Sequence, residues 1–132
     1  MRRKKVNASF RIAAISTLLA MMLVPAGCLF RKGQPEGAIV EVGKVVTNLA
    51  EGSRLAQVCV AIETEAGKTE EIARNTGRIR HLIISAIRAK SAGDLAGSDG
   101  MARLARDIAD RIAAELSPGL VWRVYITDLV VD

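Results

Sequence analysis

Few residues in this sequence have side chains suited to catalysis. The 132 residues include one histidine and two cysteines. His81 lies next to Arg80, a setting typical of a solvated side chain rather than of a general base. Ser85 and Ser91 have no second histidine near them and lack the Ser-x-x-Lys spacing of a serine nucleophile. The sequence therefore predicts a protein that is not an enzyme and has no catalytic residues.

Cysteine and glycine spacing bears on metal, redox and phosphate sites. The sequence contains no Cys-x-x-Cys pair, and Cys28 lies in an apolar segment whereas Cys59 lies in a predicted strand. This separation favours neither a zinc site nor a disulfide. The glycines of residues 93–100 do not follow a strand and lack the Gly-x-Gly-x-x-Gly pattern of a phosphate-binding loop. We therefore expect no metal and no cofactor.

The positive charge of the chain is confined to one end. The formal net charge is +5 and the isoelectric point is about 9.7, values that would ordinarily suggest nucleic-acid binding. Seven of the nineteen basic residues lie in residues 1–32, however, and residues 33–132 hold twelve basic and fourteen acidic residues. The folded part is therefore mildly acidic, and we predict no binding to nucleic acid.

An uncharged run indicates a membrane anchor. Residues 12–30 contain nineteen residues without a charge, close to the ~20 that an α-helix needs to span a bilayer. Five basic residues precede this run and two follow it, which places the N-terminus in the cytoplasm. We predict a basic cytoplasmic tail at 1–11, a single-pass anchor in the inner membrane at 12–30, a linker at 31–37 and an exported domain at 38–132. The strongly apolar anchor residues are Ile12, Ile15, Leu18, Leu19, Leu23, Val24, Leu29 and Phe30.

The same segment has two alternative interpretations as a cleaved signal. A basic start, an apolar stretch and the small residues Ala26 and Gly27 fit the three-part pattern of a secretory signal peptide, whose cleavage would release the domain. Residues 25–28 read PAGC and resemble a bacterial lipoprotein cleavage box, with Cys28 as the lipidated residue. In that alternative the chain is a membrane-tethered lipoprotein that binds a small ligand or an envelope partner.

The predicted exported domain begins with a β-hairpin. Residues 38–49 are rich in valine and isoleucine, and residues 55–64 alternate between two sets of side chains beyond a turn at residues 50–53. In the first strand, valines occupy even positions, which predicts that they share one face. These valines are Val40, Val42 and Val46.

Helical periodicity follows the hairpin. Thr69 is expected to cap a short helix that breaks near residues 75–77. Apolar residues then recur every three or four positions in one helix, and every four positions in a helix that starts at Ser98. Residues 120–131 predict a third strand, in which one face is formed by Trp122, Val124, Ile126 and Val130. The predicted fold is a small α/β domain of order β-β-α-α-β, with helices over one face of the sheet.

Five short segments carry a family resemblance. They are residues 45–50 (VVTNLA), 55–63 (LAQVCVAIE), 79–84 (IRHLII), 90–100 (KSAGDLAGSDG) and 124–132 (VYITDLVVD). In this order they resemble the motifs of the flagellar basal body-associated FliL family. The positions that match the family motifs are Asn48, Leu49, Arg80, Leu95, Gly100 and Tyr125.

The resemblance implies a fold and a role. The domain of this family is similar in fold to stomatin and prohibitin (SPFH) domains, and such domains assemble into rings, so the resemblance implies a ring-forming homo-oligomer. The implied protein is a non-enzymatic accessory of the bacterial flagellum that associates with the basal body and with the stator proteins MotA and MotB. It would support flagellar rotation, motility, chemotaxis and swarming. The resemblance assigns no partner-facing residues.

Overall fold

A computed structural model describes residues 36–132 of the chain. The predicted basic tail, the membrane anchor at residues 12–30 and Cys28 lie outside these described residues. Within them, none of the helices combines the length and the hydrophobicity that a bilayer span requires.

The described residues fold as three antiparallel strands and three α-helices. The strands are β1 (Gly37–Asn48), β2 (Leu55–Glu65) and β3 (Arg123–Val131), and β2 lies between the other two. A 3₁₀ turn at Ala66–Lys68 follows β2 and leads into the helices. The helices are α1 (Thr69–Arg74), α2 (Thr76–Arg88) and α3 (Gly97–Glu115). The predicted mixed α/β class is confirmed, whereas the similarity to SPFH domains stays a prediction.

The core lies between one face of the sheet and the helices, with α2 against β1 and α3 against β3. Alternate residues of β2 are fully covered on this inner face, from Ala56 to Thr64. Both predicted apolar helix stripes point into the core: Ile79, Ile83, Ala86 and Ile87 of α2, and Leu104, Ile108 and Ile112 of α3. The buried Thr64 hydroxyl donates a hydrogen bond of 2.6 Å to the carbonyl of Leu120, which holds the segment before β3 against the sheet.

The face predicted for Val46 is wrong. Strand β1 has one residue more than β2 between Glu41 and Gly43, a β-bulge. Gly43 has a φ of +89°, which glycine adopts without steric cost. Because one inserted residue moves every later side chain to the opposite face, Val45 enters the core while Val46 is 55% exposed.

A second β-bulge, in β3, changes which side chains of that strand share a face, so the prediction for Val130 is wrong. The register with β2 shifts between Cys59 and Val60, and Thr127 is the additional residue of β3. Val124 and Ile126 lie on the inner face as predicted, but Val130 is 50% exposed. Trp122 was expected in the strand; it precedes β3 and is 42% exposed. The alternation of apolar residues therefore holds only up to the bulge.

Two helix starts also differ from the sequence prediction. Thr69 is the first residue of α1, and its hydroxyl donates 3.3 Å to the carbonyl of Ala66 instead of capping a helix N–H group. The break between α1 and α2 is the single residue Asn75. Helix α3 begins one residue before Ser98, at Gly97.

Candidate functional site

The serines and the histidine considered above occupy ordinary structural positions. The Ser85 hydroxyl accepts a hydrogen bond of 3.3 Å from Arg111, and the Ser91 hydroxyl lies 2.9 Å from the Asp94 carboxylate, to which it donates. His81 is exposed and lines an open groove of about 450 Å³ with Ile84 and Ser85 on α2. Between residues 36 and 132, no group of three or more histidine, cysteine, aspartate or glutamate side chains is arranged to hold a metal ion.

Asn48 and Leu49 shape the turn between β1 and β2. The Asn48 side-chain amide donates 3.3 Å to the carbonyl of Gly52, and the Leu49 side chain is buried. This turn is joined to the segment after α2, because the Ala50 N–H donates 2.9 Å to the carbonyl of Lys90. Two of the family-motif positions therefore fix how the hairpin end meets the helical layer.

Leu95 and Gly100 form a close contact at the start of α3. Leu95 is buried, and a Cβ on Gly100 would lie 2.6 Å from the backbone carbon of Leu95 and 2.7 Å from the carbonyl oxygen of Asp94. These separations are shorter than any ordinary contact to a Cβ atom. Glycine is therefore required at this position for the loop to pass over the helix.

Asp94 closes the loop in front of α3. Its carboxylate accepts 2.8 Å from the Ser91 N–H and 2.9 Å from the Ser91 hydroxyl. These two hydrogen bonds, together with Lys90 and Arg103, hold the pKa of the Asp94 carboxyl below its ordinary value, although desolvation opposes them. The loop is thus stabilised by its own polar groups beside the buried Leu95.

Arg80 connects α2 to the bulge of β1. Its guanidinium donates 3.0 Å to the carbonyl of Val42 and 2.8 Å to the carbonyl of Lys44. These carbonyls flank Gly43, where the strand departs from regular pairing. Because an edge strand presents unpaired backbone groups, two charge-assisted hydrogen bonds satisfy carbonyls that would otherwise be open to another strand.

Tyr125 lies on the sheet face opposite the helices. Its hydroxyl donates 2.7 Å to the Glu63 carboxylate, and the Arg123 guanidinium lies 6.0 Å from the centre of the Tyr125 ring. This small polar cluster joins β2 to β3 near the start of β3. The six family-motif positions are therefore not convergent. Four lie where the hairpin turn and the loop before α3 meet the core, whereas Arg80 lies on α2 and Tyr125 on β3.

Sequence reasoning missed an ion cluster between α2 and α3. Asp107 Oδ1 accepts 3.0 Å from Arg111 Nε, and its buried Oδ2 lies 3.2 Å from Lys90 Nζ, within ion-pair distance but outside hydrogen-bond geometry. Burial raises the pKa of the Asp107 carboxyl, but the Arg111 hydrogen bond and the positive charges of Arg111 and Lys90 outweigh burial and lower it. The spacing of Asp107 and Arg111 at i,i+4 on a helix was the available signal.

We expect Asp107→Asn to lower the free energy of unfolding by about 1 kcal/mol at pH 7, since the carboxylate charge that strengthens the Arg111 hydrogen bond and pairs with Lys90 is lost. A lowered carboxyl pKa stabilises the fold above the unfolded-state value of 3.8, and this stability is lost as the pH falls through the folded-state pKa. The variant should therefore lose less stability than the parent between about pH 5 and pH 2. Urea unfolding at several pH values measures this, with the exposed Asp110→Asn on the same helix as control. Equal acid dependence of Asp107→Asn and the parent would contradict the assignment.

Two arginines of α1 and α2 form ion pairs with acidic side chains of the domain. Arg78 Nη2 lies 3.0 Å from Glu115 Oε2, and Arg74 lies 3.8 Å from the exposed Glu70. Arg80 is engaged with β1, as described above. Two of the four arginines on α1 and α2 therefore have an acidic partner, and Arg80 is held by backbone carbonyls, which favours a solvated helix face.

A family model and a related protein that match this sequence carry the same name. Residues 39–131 match the family model described as flagellar basal body-associated protein FliL. The protein named "Flagellar protein FliL" of Bacillus subtilis (strain 168) is 27% identical over 89 residues, which cover 67% of this chain and 63% of that protein. The match thus spans a little less than two thirds of the relative's length.

Proposed function

This chain belongs to the flagellar basal body-associated FliL family, and we propose that it is a stator-associated scaffold of the flagellar motor. Membership gives it an accessory role at the flagellum. The finer proposal is that it contacts MotA and MotB and supports rotation and swarming without catalysis. The observation that carries the proposal is the extent of the family match, which includes all three strands and all three helices.

The proposed topology follows from the charges of the N-terminal region. Residues 12–30 would cross the inner membrane once, with residues 1–11 in the cytoplasm and the domain exported. The linker of residues 31–37 can extend about 25 Å at most, at ~3.3–3.6 Å per residue. The domain would therefore stay near the membrane surface, where the exported part of a stator also lies.

A ring is the proposed mode of action. Identical head-to-tail contacts close into a ring when the rotation per subunit divides a full turn. Membrane tethering raises the effective concentration of neighbouring domains, so weak contacts suffice. A ring that binds the assembled stator better than the unassembled one would shift the population toward the assembled state.

Deleting the gene is expected to reduce swimming and swarming radii on soft agar while leaving flagellar filaments in place. The full chain should restore motility, and a chain lacking residues 12–30 should not. Replacing residues 12–30 with an unrelated single-pass helix of equal length is the matched control and should restore motility. Unchanged motility in the deletion strain would contradict the proposed role.

The lipoprotein alternative makes a separate prediction about Cys28. Intact mass measurement of the chain from membranes should show an N-terminus that begins at Met1 or Arg2 if residues 12–30 are an uncleaved anchor. A mass that corresponds to a lipidated Cys28 at the N-terminus would replace the anchor with a lipid. The exported position of the domain would be the same in both cases.

A further inference from the structure

The sheet face opposite the helices, here called the outer face, is organised in rows across the three strands. Strand pairing places Val46, Gln57 and Val130 in one row, and Lys44, Cys59 and Asp128 in the next. Paired residues on adjacent strands share a face, so these six side chains project from the same side. The bulges of β1 and β3 turn the side chains of these two strands to the outer face, because without the additional residues Val46 and Val130 would face the core.

The first row is apolar at both edges of the sheet. Val46 is 55% exposed and Val130 is 50% exposed, and Leu55 lies beyond them at 46%. Together with Gln57 these residues line a shallow groove of about 280 Å³. Isolated exposed apolar residues are common, but a contiguous group on a sheet face that no element of residues 36–132 covers indicates a contact surface.

The second row carries opposite charges at its two edges. Lys44 lies on β1 and Asp128 on β3, both are exposed, and the half-buried Cys59 separates them on β2. Among residues 36–132, neither charge has an ion-pair partner within 4.0 Å. The row therefore has a positive edge and a negative edge. Its charges complement those of the same row in a second copy that is rotated by 180° to face it.

We propose that the outer face binds the outer face of a second copy of this chain, about a two-fold axis parallel to the strands. Such an axis stacks β1 of one copy on β3 of the other, and β2 on β2. Lys44 of each copy then faces Asp128 of the other copy, and Val46 of each copy faces Val130 of the other. The two-fold axis thus gives two equivalent pairs of each kind. A two-fold axis across the strands would instead stack β1 on β1, which pairs neither the charges nor the valines in this way.

The proposed pairing agrees with known sheet geometry and with tethering. Packed sheets lie about 10 Å apart with their strands within about 30° of each other. With the axis along the strands, both copies start β1 at the same end, so both N-terminal segments leave in one direction. The pairing rests on the sheet face alone. Because it is two-fold, it is a separate contact from the head-to-tail contacts of the proposed ring. The membrane anchor of the proposed function would add only effective concentration.

The interface is small, which predicts weak pairing. Three strands spaced ~4.8 Å apart offer less than the ~800 Å² per partner of a standard interface. Glu63 lies two rows away from Cys59 and would approach its counterpart, a like-charge contact that the Tyr125 hydroxyl hydrogen bond to its carboxylate does not remove and that opposes close packing at that end. The angle between packed sheets also separates the rows far from the crossing point. The contact is therefore centred on the rows of Gln57 and Cys59.

Thiol crosslinking with charge reversal tests the pairing. Full-length chains in native membranes would be treated with a short bis-maleimide, and Cys59 on the axis should give a covalent dimer that Cys59→Ser abolishes. Lys44→Asp alone or Asp128→Lys alone puts like charges opposite each other in two places, and each should reduce the dimer yield roughly tenfold. When the two variants are co-expressed with different tags, mixed dimers should form at the parental yield, because the reversed charges again pair.

The co-expression experiment distinguishes a loss of charge pairing from misfolding as the cause of a lower dimer yield. A variant that failed to fold would not recover in the mixture, and protease resistance of each variant provides an independent check. Absence of a Cys59-dependent dimer in the parent, or equal yields for the single variants and the mixture, would overturn the proposal. Motility and stator binding are measured separately, so failure of the flagellar role leaves this result interpretable.

Discussion

Gly100→Ala is expected to destabilise the domain by about 2–3 kcal/mol, the upper part of the ~1–3 kcal/mol that an overpacked core position costs. The new Cβ would lie 2.6 Å from the Leu95 backbone carbon and 2.8 Å from its carbonyl oxygen. These are backbone atoms, so relief requires the loop of residues 91–96 to move away from α3. Leu95 would then leave the core, where it is 3% exposed. Urea unfolding followed by circular dichroism measures the loss.

Gly77→Ala is the matched control for this prediction. Gly77 lies in the first turn of α2, and a Cβ there has no neighbour within 4 Å. Alanine at an exposed helical glycine stabilises by up to about 1 kcal/mol. The two substitutions should therefore have opposite signs. A Gly100→Ala chain as stable as the parent would contradict the close contact assigned to Leu95 and Gly100.

Arg80→Met is expected to lower the free energy of unfolding by about 2 kcal/mol, because two hydrogen bonds from a charged donor are lost. Methionine keeps much of the aliphatic stem, so the lost polar contacts dominate the change. The carbonyls of Val42 and Lys44 would be left to solvent beside the bulge. Hydrogen exchange of the β1 amides near Gly43 should accelerate, since the strand edge is no longer held by α2.

Two further variants test the Arg80 assignment. Arg88→Met removes an exposed arginine from the same helix, and surface substitutions of this kind change stability by about 0.5 kcal/mol or less. Arg80→Lys should restore only part of the loss, because an ammonium lacks the fork that reaches both carbonyls. If Arg80→Met and Arg88→Met have equal effects, Arg80 does not hold the bulge.

The sequence predicted the elements well where periodicity is regular. The helix stripes of Ile79 to Ile87 and of Leu104 to Ile112 face the core as expected, because 3.6-residue periodicity is uninterrupted in both helices. The hairpin of β1 and β2 was likewise predicted from alternation and its turn. The faces of Val46 and Val130 were not, because each depends on one inserted residue. Gly43 was the one local hint of a bulge.

The sequence identified which residues matter in the candidate site, but it did not predict the contacts that these residues make. The resemblance selected Asn48, Arg80 and Gly100 without a reason for their residue types. The structure supplies the reasons. Asn48 makes a hydrogen bond within the turn, Arg80 donates hydrogen bonds to the edge strand β1, and the position of Gly100 has no room for a side chain. The Arg80 contacts join segments 38 and 36 residues apart, which no local pattern could reveal. The Asn48 and Gly100 contacts are local, but they depend on the backbone path of a turn and a loop that residue types alone do not specify. The motif residues maintain the shape of the domain, and the outer face is the surface that we propose for contact with a second copy.

Affinity purification after crosslinking in intact cells tests the central claim most directly. The chain would carry a tag after Asp132, and proteins crosslinked to it would be identified from the membrane fraction, with a tagged unrelated single-pass protein as control. The flagellar account predicts specific recovery of stator or basal-body proteins. Recovery of neither, from cells with assembled flagella and with the tagged chain present in the membrane, would contradict it.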